Sequence, residues 1–329
     1  MPDAPGVPHV AQRSPIVAPV WVRAVAMAER DDSTRQPGPG LAFRIATLFG
    51  GAVPSVVAHG AALGMGGFGA LAMRNERRLV ERHQRRVSPH LNVLQMQRRV
   101  NDAFQSYMRY YVETFRMPTF THREIEAGFS VEGFSHIEAG LAAGKGVILA
   151  LPHIGGWEWA GRWLIERGHQ LSAVVEVLDN KEVYQAFTDV RRAYGVNVIP
   201  LDDRAGIAVQ EALRANHVVS LLCDRDIQRN GVEVDFFGER TTAPAGPAFF
   251  ALRTGAPLLP IAVYFTRRVN GHHAVVRPPL SLATRGGLRD DVSLLTQQLM
   301  GEFEVLIRRA PEQWHLFSPN WPSDPGYAA

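Results

Sequence analysis

The sequence predicts an α/β protein, with a central, largely parallel or mixed sheet flanked by helices and a group of membrane-associating helices before it. Three observations lead there. Short strand-like runs recur at 146–151, 171–177, 196–200, 218–223 and 258–265, with helical periodicity between the first four. The 329-residue chain is 46% apolar, enough for a sizeable core. An uncharged stretch followed by an arginine-rich one precedes the alternation. The implied organisation is an extension over 1–40, a membrane-associating helical region over 41–120, and an α/β core over 121–329, with 40–329 forming one structural unit.

Residues 1–40 are rich in proline and polar residues and show no sustained apolar period, so they are expected to be disordered. They lack a basic segment followed by a continuous apolar core, so no cleaved secretory signal is expected. From Ile45 to Met73 there is no Asp, Glu, Lys or Arg. That length could span a bilayer, which takes ~20 residues, but Pro54 and the glycine density favour two short membrane-facing helices broken near Gly50–Pro54. The GMGGFG run at Gly64–Gly69 formally matches a dinucleotide fingerprint, yet no strand precedes it, and it is not read as a nucleotide site.

Arg74–Arg99 holds eight arginines against two glutamates around a helical apolar period interrupted at Pro89. Such a helix beside an apolar segment suits an anionic inner-membrane surface; a solvated helical face is the plain alternative. Without an accompanying motif, nucleic acid is not an expected partner. Tyr107, Tyr110, Tyr111 and Phe115 follow at helical spacing and are expected to pack.

The chemistry is expected at VILALPHIGGWEWAG, Val147–Gly161. An apolar strand there delivers His153 to the start of a helix carrying Glu158. Histidine is basic near neutral pH and a nearby carboxylate fixes its tautomer, so the residues suit a general base. Gly155 and Gly156 permit close backbone approach, and with Trp157 their amides are candidate oxyanion donors at a helix N-terminus. The plain alternative is a histidine packed beneath the sheet edge.

HIGGWE fits an HX4(D/E) signature. With LPHIGGWEWAG, VVEVLDNKEVYQAFTDVRRAYG, CDRDIQRNGVEVDFFGERTTAPAGPA and APEQWHLFSPNW in the same order, the chain resembles the lysophospholipid acyltransferase superfamily in its lipid A late acyltransferase branch. Within that branch it is most similar to the actinobacterial phosphatidylinositol mannoside acyltransferases. The resemblance implies transfer of a fatty acyl group, palmitoyl being expected, from acyl-CoA as co-substrate to a sugar hydroxyl of a phosphatidylinositol mannoside. It implies His153 as general base without a covalent intermediate, no resident cofactor, and a site at the cytoplasmic face of the plasma membrane. The absence of a GxSxG elbow agrees with direct transfer. It also implies that Glu176 and Arg191 lie around the active site, and that a glutamate of the third block, Glu233, pairs with His153. Glu158 then shapes the site as a second carboxylate, and Glu158 and Glu233 remain rivals for the partner role.

By residue chemistry, Arg191 or Arg192 could bind a phosphate and Glu176 a sugar hydroxyl, or they form a surface ion pair. Thr241, Thr242 and Gly246 at a helix entrance could cradle a phosphate or carbonyl, or simply cap the helix. His272 and His273 follow an Asn270-Gly271 hairpin turn without a ligand cluster around them, so no metal is expected. Cys223 alone excludes an internal disulfide and fits a reducing compartment. The amphipathic pattern over Arg289–Arg309 should cover the sheet, and Trp314 and Trp321 should pack locally. Two other functions stay open: an acyltransferase for another lyso-phospholipid or glycolipid, and a non-catalytic protein that binds anionic membranes.

Overall fold

The computed structural model describes residues 53–282 and 286–327; the 1–40 extension and the start of the uncharged stretch lie outside the described residues. Helix α1 (Ser55–Ala72) begins directly after Pro54, where a missing amide hydrogen costs nothing. It is long and apolar enough to cross a membrane. Val56, Val57, Phe68 and Leu71 stand exposed on it. GMGGFG lies inside this helix. A Cβ on Gly66 would come within 2.5 Å of the Gln105 Cα, so the glycine serves close helix packing and not a phosphate loop.

Helix α2 (Arg74–Val87) stops at the Ser88-Pro89 turn, and α3 (Val93–Arg116) restarts behind an Asn92/Gln95 capping box. Part of the basic helix faces inward. Arg86 pairs with Glu239 at 2.7 Å and with Asp324 at 2.9 Å, and it stacks over Trp321. A surface wholly devoted to lipid headgroups is therefore not what these arginines form. After a short α4 (His122–Ala127) come β1 (Phe129–Glu132), α5 (Phe134–Ala142), β2 (Val147–Leu151), α6 (Trp157–Glu166) and β3 (Leu171–Val175). Then follow α7 (Lys181–Ala193), β4 (Asn197–Pro200), α8 (Ala205–Arg214) and β5 (Val218–Leu222).

A hairpin of β6 (Val232–Phe236) and β7 (Glu239–Ala243) interrupts the alternation before α9 (Gly246–Thr254), β8 (Leu258–Phe265), β9 (His272–Val276) and α10 (Leu288–Arg309). The main sheet runs β1-β9-β8-β2-β5-β3-β4 and is parallel except between β8 and β9. Side chains alternate across β2. Ile148 and Ala150 face a layer made by α8, α9 and α10, while Val147, Leu149 and Leu151 face α3, α6 and α7. Burial on both faces explains why the strands read as unbroken apolar runs, each large aliphatic side chain contributing about 1.5–3 kcal/mol.

One irregularity shapes everything that follows. β3 pairs with β5 only over Leu171–Val218, Ser172–Val219 and Ala173–Ser220. Beyond that point β3 follows β4 as far as Val175–Pro200, and β5 follows β2 as far as Leu151–Leu222. The sheet thus forks at its carboxyl edge, where ligands collect in parallel sheets.

Candidate active site

Neighbouring strands β2 and β5 end side by side, and each hands over one polar residue. Past β2, Leu151-Pro152 leads to His153; past β5, Cys223, whose amide donates to the Leu151 carbonyl, leads to Asp224. The His153 Nδ1 lies 2.6 Å from Asp224 Oδ1, and the His153 amide donates to Oδ2 at 3.0 Å. The Trp314 indole donates to the same Oδ2 at 2.7 Å. The Asp224 side chain is fully buried and that of His153 is 23% exposed, so the pair opens to solvent only on the histidine side. With Nδ1–H held by a carboxylate, Nε2 carries the lone pair. Burial alone would raise the Asp224 carboxyl, but the facing His153 and the hydrogen bonds from His153 and Trp314 hold it below the usual carboxylate range.

The partner of His153 is thus neither of the two expected carboxylates. Glu233 sits on the outer face of β6, its side chain 82% exposed, while Val234 and Phe236 turn inward. A period of two sends it to solvent opposite Thr242, 4.0 Å from Arg240. Glu158 is buried in the first turn of α6, where it accepts from Arg191 Nε at 3.0 Å, Arg191 Nη2 at 2.5 Å, Tyr194 Oη at 2.6 Å and Tyr110 Oη at 3.3 Å. Burial would raise its carboxyl too; the Arg191 guanidinium and the three donors' bonds depress it. Arg191 is consequently a wall residue already satisfied by Glu158, not a free phosphate ligand. Removing its charge strands a buried carboxylate, so Arg191→Leu should cost about 3–5 kcal/mol. Urea unfolding of the two proteins would show it; an unchanged midpoint would refute the buried pair as a stabilising contact.

The glycines also have other duties than those expected. The Gly155 amide donates to the Gln313 carbonyl at 2.9 Å and the Gly156 amide to the Val263 carbonyl at 3.0 Å, so neither is available to an oxyanion. Gly155 has φ +59°, and a Cβ there would lie 2.0 Å from the Val263 oxygen; one on Gly156 would strike the His272 ring. Gly155→Ala should therefore destabilise by roughly 2–4 kcal/mol through left-handed strain plus the clash, read as a lowered melting temperature. Retention of the wild-type value would mean the turn accommodates a side chain.

Trp157 opens α6 without a capping side chain before it, stacks on Tyr110 with centroids 4.2 Å apart, and meets the His153 ring edge-on at 5.8 Å. Thr241 and Thr242 lie on β7, not at a helix entrance. The buried Thr241 hydroxyl donates to the Asn320 carbonyl, and Thr242 faces Glu233 across the hairpin. The helix begins only at Gly246, past the end of β7. His272 opens β9 directly after the turn; it is buried against Glu113 at 2.8 Å and stacked on Trp159. Among the described residues no group of three or more His, Cys, Asp or Glu is placed to hold a metal ion.

His153 borders a cavity of about 670 Å³ that occupies the fork between β3 and β5. Its apolar walls come from both layers, with Leu164 and Phe187 on one side and Val209 and Phe250 on the other. A polar patch spans the fork, where Arg225 Nη2 donates to Glu176 at 2.5 Å and Nη1 to Ser318 at 3.0 Å. Glu176 therefore does stand at the cavity with an arginine, and that arginine is Arg225. The arrangement joins a histidine–carboxylate pair to an apolar cavity with one charged wall, suited to activating a hydroxyl beside a long hydrocarbon chain.

Comparison with known proteins places the chain among acyltransferases. The bacterial lipid A biosynthesis acyltransferase family matches over residues 51–323. A phosphatidylinositol mannoside acyltransferase of Mycobacterium tuberculosis H37Rv is 43% identical over 227 residues, 68% of this chain and 70% of that protein. One from Mycolicibacterium smegmatis is 36% identical over 228 residues, 68% of this chain and 73% of its own. With the signature histidine at the cavity and the match running through nearly every described element, the chain belongs to the bacterial lipid A biosynthesis acyltransferase family and is an acyltransferase.

Proposed function

We propose that the protein transfers a fatty acyl group, palmitoyl, from acyl-CoA to a sugar hydroxyl of a phosphatidylinositol mannoside at the cytoplasmic face of the plasma membrane. The observation that carries this is the His153–Asp224 pair at the edge of a large apolar cavity; the names of the two mycobacterial relatives suggest the acceptor. His153 Nε2 takes the proton of the acceptor hydroxyl as its oxygen attacks the thioester carbonyl. A C–O bond forms, the C–S bond breaks, and the imidazolium returns the proton to the departing thiolate. Asp224 holds the Nδ1–H and balances the charge that appears on the ring. With the Gly155 and Gly156 amides engaged, the Trp157 amide at the positive end of α6 is the candidate donor to the oxyanion.

Glu176 and Arg225 offer a carboxylate and a guanidinium to the polar end of a substrate, and the hydrocarbon lies in the cavity. The exposed apolar residues of α1 meet the bilayer, next to those arginines of α2 that point outward. Purified protein in mixed micelles with palmitoyl-CoA should release thiol only when a phosphatidylinositol mannoside is present, and that lipid should gain one palmitoyl group by mass spectrometry. Release without acceptor would make the protein a thioesterase. Acylation of a lyso-phospholipid in preference to the mannoside would keep the chemistry and replace the acceptor.

A further inference from the structure

The segment after α10 returns across the carboxyl edge of the sheet as a strap over both members of the pair. Ile154 bridges to Trp314, and the His315 amide donates to the His153 carbonyl at 2.6 Å. The Asn320 side chain donates to the Asp224 carbonyl at 3.2 Å. The strap is pinned beyond that by Asp324, which accepts from the Asn320 and Trp321 amides at 2.9 and 3.1 Å and from His83 Nε2 at 2.9 Å. Trp314 itself is buried, wedged among Phe236, Phe237, His83 and Trp321. Its one polar atom meets Asp224 Oδ2.

Building on the acyl-transfer chemistry proposed above, we propose that Trp314 is a positioning residue, its indole N–H orienting the Asp224 carboxylate toward His153 and setting how firmly that histidine holds its proton. Oδ2 accepts from two donors of fixed direction, the His153 amide and the indole. Together they set the carboxylate plane, and Oδ1 is left facing the ring. In a buried setting a donor also draws off part of the carboxylate charge. Without the indole N–H, the carboxylate plane is less firmly set and more of its charge faces the ring, which moves the pH dependence of the rate toward alkali. His83 also touches Trp314, and the His153→Gln comparison below separates its influence from that of His153; two nearer titratable groups are displaced. His315, facing both from the strap, is pushed down to about 3 by burial first and by His153 second. Cys223, beside Asp224 on the β5 side, is pushed up by burial first and by that carboxylate next.

The test compares Trp314→Phe with wild type in kcat/KM against pH. The rising limb should move about 0.5–1 pH unit toward alkali, the rate at a pH on that limb should fall about 3- to 10-fold, and KM for the acceptor should hold. A tryptophan that only fills space would lower the melting temperature or scale the rate equally at all pH values, and an unshifted limb overturns the proposal. A second measurement does not depend on that variant folding or on turnover. In wild type the 15N-labelled Trp314 indole, assigned by single Trp→Phe replacements at the other tryptophans, should titrate with the midpoint of the rate and cease to titrate in His153→Gln. An indole resonance indifferent to His153 protonation also overturns the proposal. Full activity in His153→Gln would instead overturn the acyl-transfer mechanism, while the indole titration would still report on the pair.

Discussion

His153→Ala should lose acyl transfer by about 10³-fold or more while the protein stays folded, because base catalysis of the kind proposed for it contributes about 10²–10⁴. The backbone would keep its shape. The residue's amide bond to Asp224 and its carbonyl bond from His315 are main-chain contacts that alanine retains. The side chain lost is partly exposed, its ring nitrogen bound to Asp224. Initial rates at saturating palmitoyl-CoA, beside a circular-dichroism melt, separate chemistry from folding. Near-normal turnover by a folded His153→Ala protein would remove the histidine from the mechanism.

Asp224→Asn is the second large effect, expected at about 10²–10⁴ in kcat with only a small change in KM. The amide has the shape of the carboxylate but cannot serve all its donors. The Oδ2 position receives N–H groups from His153 and Trp314, so the amide oxygen must occupy it. The amide nitrogen then faces Nδ1 and forces the ring to carry its hydrogen on Nε2, where it no longer accepts a proton. The variant should also lose an acid-sensitive contribution to stability. Because folding depresses the Asp224 carboxyl, the stability it supplies is complete above the ordinary carboxyl value near 3.8 and disappears as pH falls through the folded value. Melting temperature against pH should therefore fall less steeply on the acid side in Asp224→Asn. Glu233→Ala provides the contrast: an exposed residue on the hairpin should leave the rate within about twofold. Comparable losses at 224 and 233 would contradict the pairing.

The fold was legible where periodicity alone decides. The strands from Val147, Leu171, Val218 and Leu258 begin within a residue of the expected runs, and Pro89 breaks the arginine-rich helix as its missing donor requires. His153 was legible because the strand pattern stops at Leu151 and a helix starts at Trp157, which leaves the histidine at a strand's carboxyl end. Its partner was not. Asp224 stands at an equivalent strand end, but its distance from His153 depends on β5 lying next to β2, a sheet order that local sequence does not encode. The Glu233 assignment could have been tested by strand alternation, since Val232, Val234 and Phe236 share a parity that puts Glu233 on the opposite face. The engagement of the Gly155 and Gly156 amides depends on Gln313 and Val263, both more than a hundred residues away. The inward-facing Arg86 of α2 was hidden for the same reason, its acidic partners being Glu239 and Asp324.

The strap after α10 has a bearing on when the protein becomes competent. Every strand of the sheet, and both His153 and Asp224, leave the ribosome before Trp314, His315 and Asn320 do. The contacts that orient the pair therefore come from residues that emerge after all of these. A nascent chain can therefore expose every strand of its sheet while the histidine–carboxylate pair still lacks the contacts of Trp314, His315 and Asn320. On the proposed chemistry, a chain stalled short of Trp314 would carry both His153 and Asp224 without the indole and main-chain contacts that hold them, and so would be folded in its sheet yet inactive.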